Sequence, residues 1–395
     1  MRILSVSTLF PAPGRAGFGR FVAHQMDGFA QTPGADLVMV NPIGLPIWPL
    51  SRRAPYAALA SCPATSPRAG YTVHHPRFRL WPLVGGTGNP ARIARAVLPL
   101  ARRLHAEQPF DLVDAQFFFP DGPAAMLVAQ ALGLPFTIKA RGSDIHYWST
   151  RPAALAQMRA AAGQAAALLA VSAALKADMV ALGMPEARIH VHYTGLDHAR
   201  FFPRPQASAR ADVLAALGLA LPAAAPLLLC PGALIAIKGQ RLAIAALASV
   251  PRAHLLLAGS GSDEPALRAL AEGPATAGRV HFLGQVAPDL MAQAMSAADV
   301  VVLPSEREGL ANVWIEALAS GAPLVIPPIG GAAEVVTTPA AGRLAARDPA
   351  AIASAINALL AAPPMREETA AAAARFSWQA NAGALAAIWQ QAAPA

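Results

Sequence analysis

Short runs of apolar, often β-branched residues alternate with longer Ala-rich runs along nearly the whole chain. RILSVS, DLVMVN, DLVDAQF, FTIKA, LLAVS and IHVHY supply the apolar runs of the first half, and PLLLC, HLLLAG, VHFLG, DVVVLP and PLVIPP those of the second. Strands that are apolar throughout and separated by helices indicate parallel sheets covered on both faces, and here the pattern occurs twice. The predicted fold class is α/β, with two Rossmann-like doubly wound domains in series. Between the two sets lies FFPRPQASAR, residues 201–210, rich in Pro and small polar residues. It predicts a linker between a first domain over residues 1–200 and a second over residues 211–375. Such domains bind ligands in a cleft at the carboxyl ends of their strands, so chemistry is expected just after strands.

Composition agrees with this division. A length of 395 residues suits two domains, and 55% hydrophobic residues with no long polar tract exclude a disordered chain. Cys62 and Cys230 are too few and too far apart for a disulfide framework or a zinc site, which points to a reducing compartment. The start, MRILSVSTLFPAPG, turns too soon for a signal peptide and predicts a buried strand. Leu219–Ile237 is free of charge over 19 residues, but Pro222, Pro226, Pro231 and Gly232 break any helix there, so loop, strand, loop is expected.

Charge is uneven. The net value is +8; residues 1–200 carry 19 Lys/Arg against 10 Asp/Glu, while the remainder carries 12 against 13. A one-sided basic surface implies an anionic partner for the first half: membrane lipid, acidic glycan or nucleic acid. Arg92, Arg95, Arg102 and Arg103 share a helical stretch, for which a solvated face is the simple explanation. LPIWPLSRRAPYAAL interleaves Trp48 and Tyr56 with Arg52 and Arg53, a mixture suited to the boundary between water and lipid headgroups. No nucleic-acid motif accompanies the charge. The expectation is a cytoplasmic protein resting on the anionic inner face of the membrane.

Glycine turns follow several strands. Gly14, Gly17 and Gly19 precede a helical run, but without GxGxxG spacing or a later acidic ribose ligand, so nicotinamide binding is unsupported. Gly232 and Lys238 lie between a strand and a helix; Gly259 and Gly261, then Gly284, follow two more strands. In DVVVLPSEREGLANVWIEALASGAPLVIPP a helix should begin near Leu310 to Asn312, leaving Glu308 before it and Glu316 about one turn inside. Eight residues at about 100° each leave the two glutamates roughly 80° apart on a continuous helix, so they suit two parts of an extended ligand better than one shared site. The amides of Gly309, Leu310 and Ala311 would face an anion at the helix start. Spacing alone equally allows Glu308 to complement the helix dipole and Glu316 to lie exposed.

The block EGLANVWIEALASGAPLVIPPIGGAAEVV, with KG earlier, resembles the E-x7-E region of retaining glycosyltransferases of family 4, which have the GT-B fold. QPFDLVDAQFFFPDG, LPFTIKARGSDI, LLAVSAALKADMVALG, YTGLDHARFFP, HLLLAGSGS, VHFLGQV and FSWQANAGALAAIWQ also fall in family order, so the likeness spans essentially the whole chain. The ARGSDI form resembles the teichuronic-acid and exopolysaccharide enzymes. The resemblance implies transfer of a sugar from a nucleoside diphosphate to a glycan or lipid-linked acceptor, with retention. It puts Glu316 on the ribose, Glu308 and the amides of Gly309, Leu310 and Ala311 on the sugar and phosphate, and Lys238 with Gly232 on the diphosphate. Gly261 joins the donor-binding turns, Gly284 and Val286 offer backbone to the base, and Gly19 closes over the phosphates. A C-terminal helix over residues 376–393 would return to the first domain. No Asp-x-Asp occurs, so neither a metal nor another cofactor is expected.

Two positions depart from the family. Ala233 stands where many relatives have Arg, so one phosphate contact is missing or supplied by Arg141 or Arg307, and Arg141 stands where many have His. Arginine cannot act as a base near neutral pH. In a front-side mechanism the departing phosphate takes the acceptor's proton, leaving Arg141 to stabilise charge; Asp144 either orients a hydroxyl or caps the turn. Glu334 reads as a helix start, and His190 and His192 lack a third metal ligand. A nucleotide-sugar epimerase and an inactive glycan- or lipid-binding scaffold are the competing readings.

Overall fold

A computed structural model describes residues 1–81 and 85–393. The chain forms two compact units, residues 1–195 with 378–395, and residues 196–377. In the first, ten strands arise in order: β1 (Arg2–Val6), β2 (Asp36–Val40), β3 (Ile43–Leu45), β4 (Thr65–Arg68), β5 (Tyr71–His74), β6 (Arg77–Arg79), β7 (Leu112–Ala115), β8 (Phe136–Ala140), β9 (Ala167–Ala170) and β10 (Ile189–Val191). Eight of them form one sheet, ordered β10-β9-β8-β7-β1-β2-β5-β4 and parallel except for β4 against β5. β3 and β6 make a separate parallel pair. Among the helices are α1 (Arg20–Ala30), α2 (Tyr56–Ala60), α3 (Asn89–Glu107) and α4 (Asp121–Leu132).

The second unit holds β11 (Leu227–Pro231), β12 (His254–Ala258), β13 (Val280–Gly284), β14 (Val300–Val302), β15 (Leu324–Ile326) and β16 (Gly342–Leu344). They form one wholly parallel sheet, ordered β13-β12-β11-β14-β15-β16. Both large sheets are the doubly wound α/β type expected, since β7, β8, β9, β11 and β14 are buried at every position. Among the parallel strands of each sheet the order reverses once: β1 lies between β2 and β7, and β11 between β12 and β14. Loops leaving the two strands beside such a point diverge and open a crevice at the carboxyl edge.

The first core draws on both chain ends. The C-terminal helix Trp378–Ala392 lies along α1, with Leu385 and Trp389 fully buried beside Met26 and Phe29. Trp389 meets Phe29 edge-on at 4.6 Å, and its indole N–H donates to Thr137 Oγ1 at 3.0 Å, satisfying the ring's single polar atom. At the entrance of this helix a side chain on residue 195 would stand 2.3 Å from the Trp378 ring, so only Gly195 fits.

The linker lies elsewhere than expected. Residues 196–210 pack wholly within the second unit, and Gln206–Leu217 is a helix. Pro203 and Pro205 give an extended entry into that helix, and Gln206 ties it down by donating to Asp299 Oδ1 at 2.8 Å. The two-stranded β3–β6 pair and antiparallel β4 were not predicted either. TSPR of β4 alternates exposed and half-buried positions and carries a proline, which reads as turn and is tolerated only on an edge strand.

Candidate functional site

In the second unit the crevice-forming loops follow β11 and β14. Lys238 on the first donates to Glu308 Oε1 on the second at 2.6 Å, with side chains 26% and 12% exposed. Backbone contacts set this approach. Gly239 is left-handed (φ 73°), and a side chain there would stand 2.2 Å from the Pro304 carbonyl oxygen, while Glu306 N donates to Ile237 O at 2.7 Å. From the β15 side, Gly331 N donates to Gly309 O at 2.8 Å. The Glu308–Gly309 turn is thereby held on two sides.

The helix that follows runs Asn312–Ala319, and its preceding residue, Ala311, has no side chain able to cap the first amides. Glu308 therefore stands before the helix and half-buried Glu316 on its second turn. Ser305, fully buried, has a hydroxyl without a hydrogen-bond partner among the described residues. Gly232 and Gly261 follow β11 and β12, and Gly284 ends β13, at the same edge of the sheet. Leu234 N donates to Ser260 O at 3.0 Å, and Gln285 Nε2 to Ser260 Oγ at 2.7 Å, so these turns and neighbouring Val286 are tied in a row. Ala233 brings no cationic side chain, its carbonyl accepts from Gln240 Nε2 and Ile235 N, each at 2.9 Å, and exposed Arg307 lies 3.4 Å from Glu306.

The crevice of the first unit is built of buried polar groups. Gly19, left-handed at the start of α1, could not carry a side chain, which would stand 2.5 Å from Leu9 O. Arg141 follows β8; its Nε donates to Gln116 O at 3.1 Å and its terminal nitrogen to Gln116 Oε1 at 2.5 Å and Gln25 Oε1 at 3.3 Å. Gln116 donates in turn to Asp114, which also accepts from Ser5 at 2.9 Å and Thr137 at 2.8 Å. Burial lowers the Arg141 guanidinium to about 10, opposed by the charges of Asp144 and Asp114, so it remains a cation near neutral pH.

Asp144 is fully buried, and its two oxygens accept from the backbone amides of Phe118, Arg141, Gly142 and Ile145 at 2.6 to 3.0 Å. Of its two expected roles, the geometry fits the cap and not the orientation of a hydroxyl: the carboxylate is saturated by the turn that presents Arg141. Asp121 accepts from Thr8 N and Thr8 Oγ1, each at 2.8 Å, and burial pushes it up to about 7.

Lys139 is a buried lysine that sequence reasoning passed over. Its Nζ bonds Gln25 Oε1 at 2.7 Å and His192 Nδ1 at 2.5 Å, while His192 Nε2 bonds the Asn381 carbonyl at 2.9 Å. A carbonyl only accepts, so Nε2 carries the proton and Nδ1 accepts from the lysine. Burial, with Arg141 adding to it for the lysine, pushes both Lys139 and His192 well below their ordinary values. His192 is thus committed to the network, and among the described residues no three His, Cys, Asp or Glu side chains gather as metal ligands. The sequence offers one hint, Lys139 inside the mostly apolar run FTIKA, which is too little to place His192 beside it.

Comparison with known proteins agrees with this architecture. Residues 52–200 match the family model Glycosyltransferase Family 4, and residues 225–362 match Glycosyl transferases group 1. The chain is 28% identical to the Bacillus subtilis (strain 168) protein that carries the name teichuronic acid biosynthesis glycosyltransferase TuaC, over 84% of this chain and 82% of that one. It is 30% identical to a GDP-mannose-dependent alpha-(1-6)-phosphatidylinositol monomannoside mannosyltransferase of Mycobacterium tuberculosis, over 60% of this chain and 62% of that one. Among solved structures, sucrose-phosphate synthase from Thermosynechococcus elongatus superposes with a TM-score of 0.80 at 20% identity, covering 99% of both chains. Anabaena Alr3699/HepE in complex with UDP gives 0.74 at 21% identity, over 98% of this chain and 99% of that one. The chain thus carries a Glycosyltransferase Family 4 domain followed by a Glycosyl transferases group 1 domain, in the GT-B fold.

Proposed function

We propose that the chain moves a sugar from a nucleoside diphosphate to a glycan or lipid-linked acceptor, with retention at the anomeric carbon, in the synthesis of a cell-surface polysaccharide. The observation that carries this reading is the Lys238–Glu308 pair at the reversal point of the second sheet, directly ahead of the helix bearing Glu316. Breaking the sugar–phosphate bond leaves negative charge on the diphosphate, which Lys238 and the helix-start amides of Gly309, Leu310 and Ala311 stabilise. Glu308 binds the sugar and Glu316 the ribose. Gly232 and Gly261 let backbone approach the diphosphate, and Gly284 and Val286 hold the base. In the first unit the turn at Gly19 offers backbone to a phosphate, and Arg141 contributes the cation that a family histidine would otherwise supply. Asp144 acts only through Arg141, by fixing its turn.

With Glu308 and Glu316 engaged by the sugar and ribose and Arg141 a cation, the departing phosphate accepts the acceptor's proton. The chain has no Asp-x-Asp, and transfer is proposed to need no metal or other cofactor. A relative solved with UDP-glucose and another named for GDP-mannose support a nucleotide-sugar donor of one of these kinds. The enzyme is placed in the cytoplasm, against the anionic inner face of the membrane. A panel of UDP-, GDP- and ADP-sugars should reveal one that raises the unfolding temperature and is consumed; indifference to all of them and to the free nucleoside diphosphates would overturn the reading. Product formed without any acceptor would favour an epimerase, and binding without turnover a scaffold.

A further inference from the structure

We propose that the first unit seats on an anionic lipid surface through the tips of β3 and β6, and that this seating immobilises the glycine loop over residues 11–19. The inference rests on the donor reading above only for what that loop contacts. Its first support is charge. Between Asp36 and Glu107 the chain has nine arginines and no Asp, Glu or Lys. Among the described residues only two of the nine have acidic partners: Arg68 pairs with Asp27 and Arg103 with Glu107. Arg52, Arg53 and Arg79 are exposed.

The second support is where the apolar groups lie. β3 and β6 run parallel, with Leu45 opposite Arg79 and Leu80 N donating to Leu45 O at 2.9 Å. Both strands therefore release the chain at one end. Ile47, Trp48 and Leu50 follow the first and Trp81 the second, and all four are exposed, Trp48 by 73%. Arg92 bonds Gly85 O at 3.0 Å, and a side chain built on Gly85 would be 3.5 Å from both Arg92 and Trp81. Next to it, a side chain on Gly86 would meet Trp148 at 2.7 Å. Trp148 is edge-on to exposed Tyr147, over whose ring Arg151 stands at 3.9 Å.

An apolar patch of this kind, rimmed by charge, marks an interaction surface. Guanidinium groups meet lipid phosphates, indole rings sit at headgroup level, and aliphatic tips enter the acyl boundary. An acidic polysaccharide or a nucleic acid would engage the arginines and leave Ile47 and Leu50 in water.

The third support links surface and site. Ala12 of the glycine loop is buried with Ile43 of β3 and with Leu59 and Cys62 at α2, in a small cluster separate from the main core. A side chain on Gly14 would stand 2.8 Å from Ala58 Cβ, and Asn41 Nδ2 donates to Phe10 O and Pro11 O at 3.4 and 3.3 Å. The loop that ends at Gly19 rests on the same short elements that carry the seating residues, so restricting one restricts the other.

The test uses the full chain with vesicles of phosphatidylcholine alone and of phosphatidylcholine with phosphatidylglycerol. Wild-type protein should float with the anionic vesicles, release in high salt, and ignore the neutral ones. Removing two cations near the surface, in Arg52→Gln/Arg53→Gln, should weaken binding on the order of thirty-fold. Trp48→Ala should weaken it independently of salt. Arg102→Gln/Arg103→Gln removes the same charge roughly 15 Å along α3 from Arg92, beyond a Debye length, and should cost no more than a few-fold. Hydrogen exchange should slow at residues 11–19 on anionic vesicles, and not in the Arg52/Arg53 variant. Equal binding to both vesicles, equal losses in the two double variants, or displacement by soluble DNA or an acidic polysaccharide in preference to lipid would overturn the surface. Unchanged exchange at residues 11–19 would overturn the coupling. Nucleoside diphosphate titration without vesicles reports on the donor reading alone and should be the same in every variant.

Discussion

Lys238 reaches Glu308 at 2.6 Å across the gap between the loops that follow β11 and β14, where the second sheet reverses its strand order. The pair lies on loops braced by main-chain contacts, so its position depends little on either side chain. Lys238→Ala should lower affinity for a nucleoside diphosphate by tenfold or more and turnover by about 10²- to 10³-fold, because charge on the leaving phosphate loses its partner. Calorimetric titration and donor consumption measure the two, and a variant unchanged in both would remove Lys238 from the site.

The two glutamates should separate by phenotype. Glu316→Ala should weaken nucleotide binding on the order of tenfold or more, the value of a charged hydrogen-bonding group. Glu308→Ala should leave nucleotide affinity within a few-fold while turnover collapses. The opposite order of affinities would reverse their assignment to ribose and sugar.

Asp144 and Arg141 should separate by stability. Asp144→Asn puts an amide against a turn of four backbone donors and should cost about 2 to 4 kcal/mol in denaturant unfolding. Arg141→Ala should leave the unfolding midpoint nearly in place and reduce turnover by about 10²-fold. A stable Asp144→Asn protein with no turnover would return Asp144 to direct chemistry.

Asp121 should give a pH signature. Burial raises its carboxyl to about 7 in the fold, from an ordinary value of 3.8. The folded form therefore holds a proton that the unfolded chain releases, and the associated stability is full below about pH 4 and lost as pH rises to about 7. Relative to Asp121→Asn, which does not titrate, wild-type protein should lose up to about 4 kcal/mol across that window. Melting temperatures of the two proteins at several pH values decide it; a constant difference would mean that Asp121 titrates normally.

The buried strands of both sheets were legible because parallel strands covered on two faces must be apolar throughout, as LLLCP of β11 and LVDA of β7 nearly are. Glu308 and Glu316 were legible because a loop-to-helix junction can be read from Gly309 and the polar run before it. β4 and the β3–β6 pair were not, since edge strands of three or four residues with Pro or Arg carry no usable period. The buried network around Lys139 was hidden for a different reason. A lysine in a strand reads as a boundary or an exposed position until the histidine 53 residues on is known to sit beside it. The linker failed because prolines that introduce a helix look, in sequence, like prolines that separate domains.

The return of the helix Trp378–Ala392 to the first unit sets an order on synthesis. Leu385 and Trp389 fill the core between α1 and the first sheet, yet they leave the ribosome only after the whole of the second unit. The second unit can close while the chain is still growing, whereas the first must wait with an apolar face open. A chain released before Leu385 would therefore carry a finished second unit and a first unit with its apolar face still open, so loss of this helix damages the part of the fold that is made first.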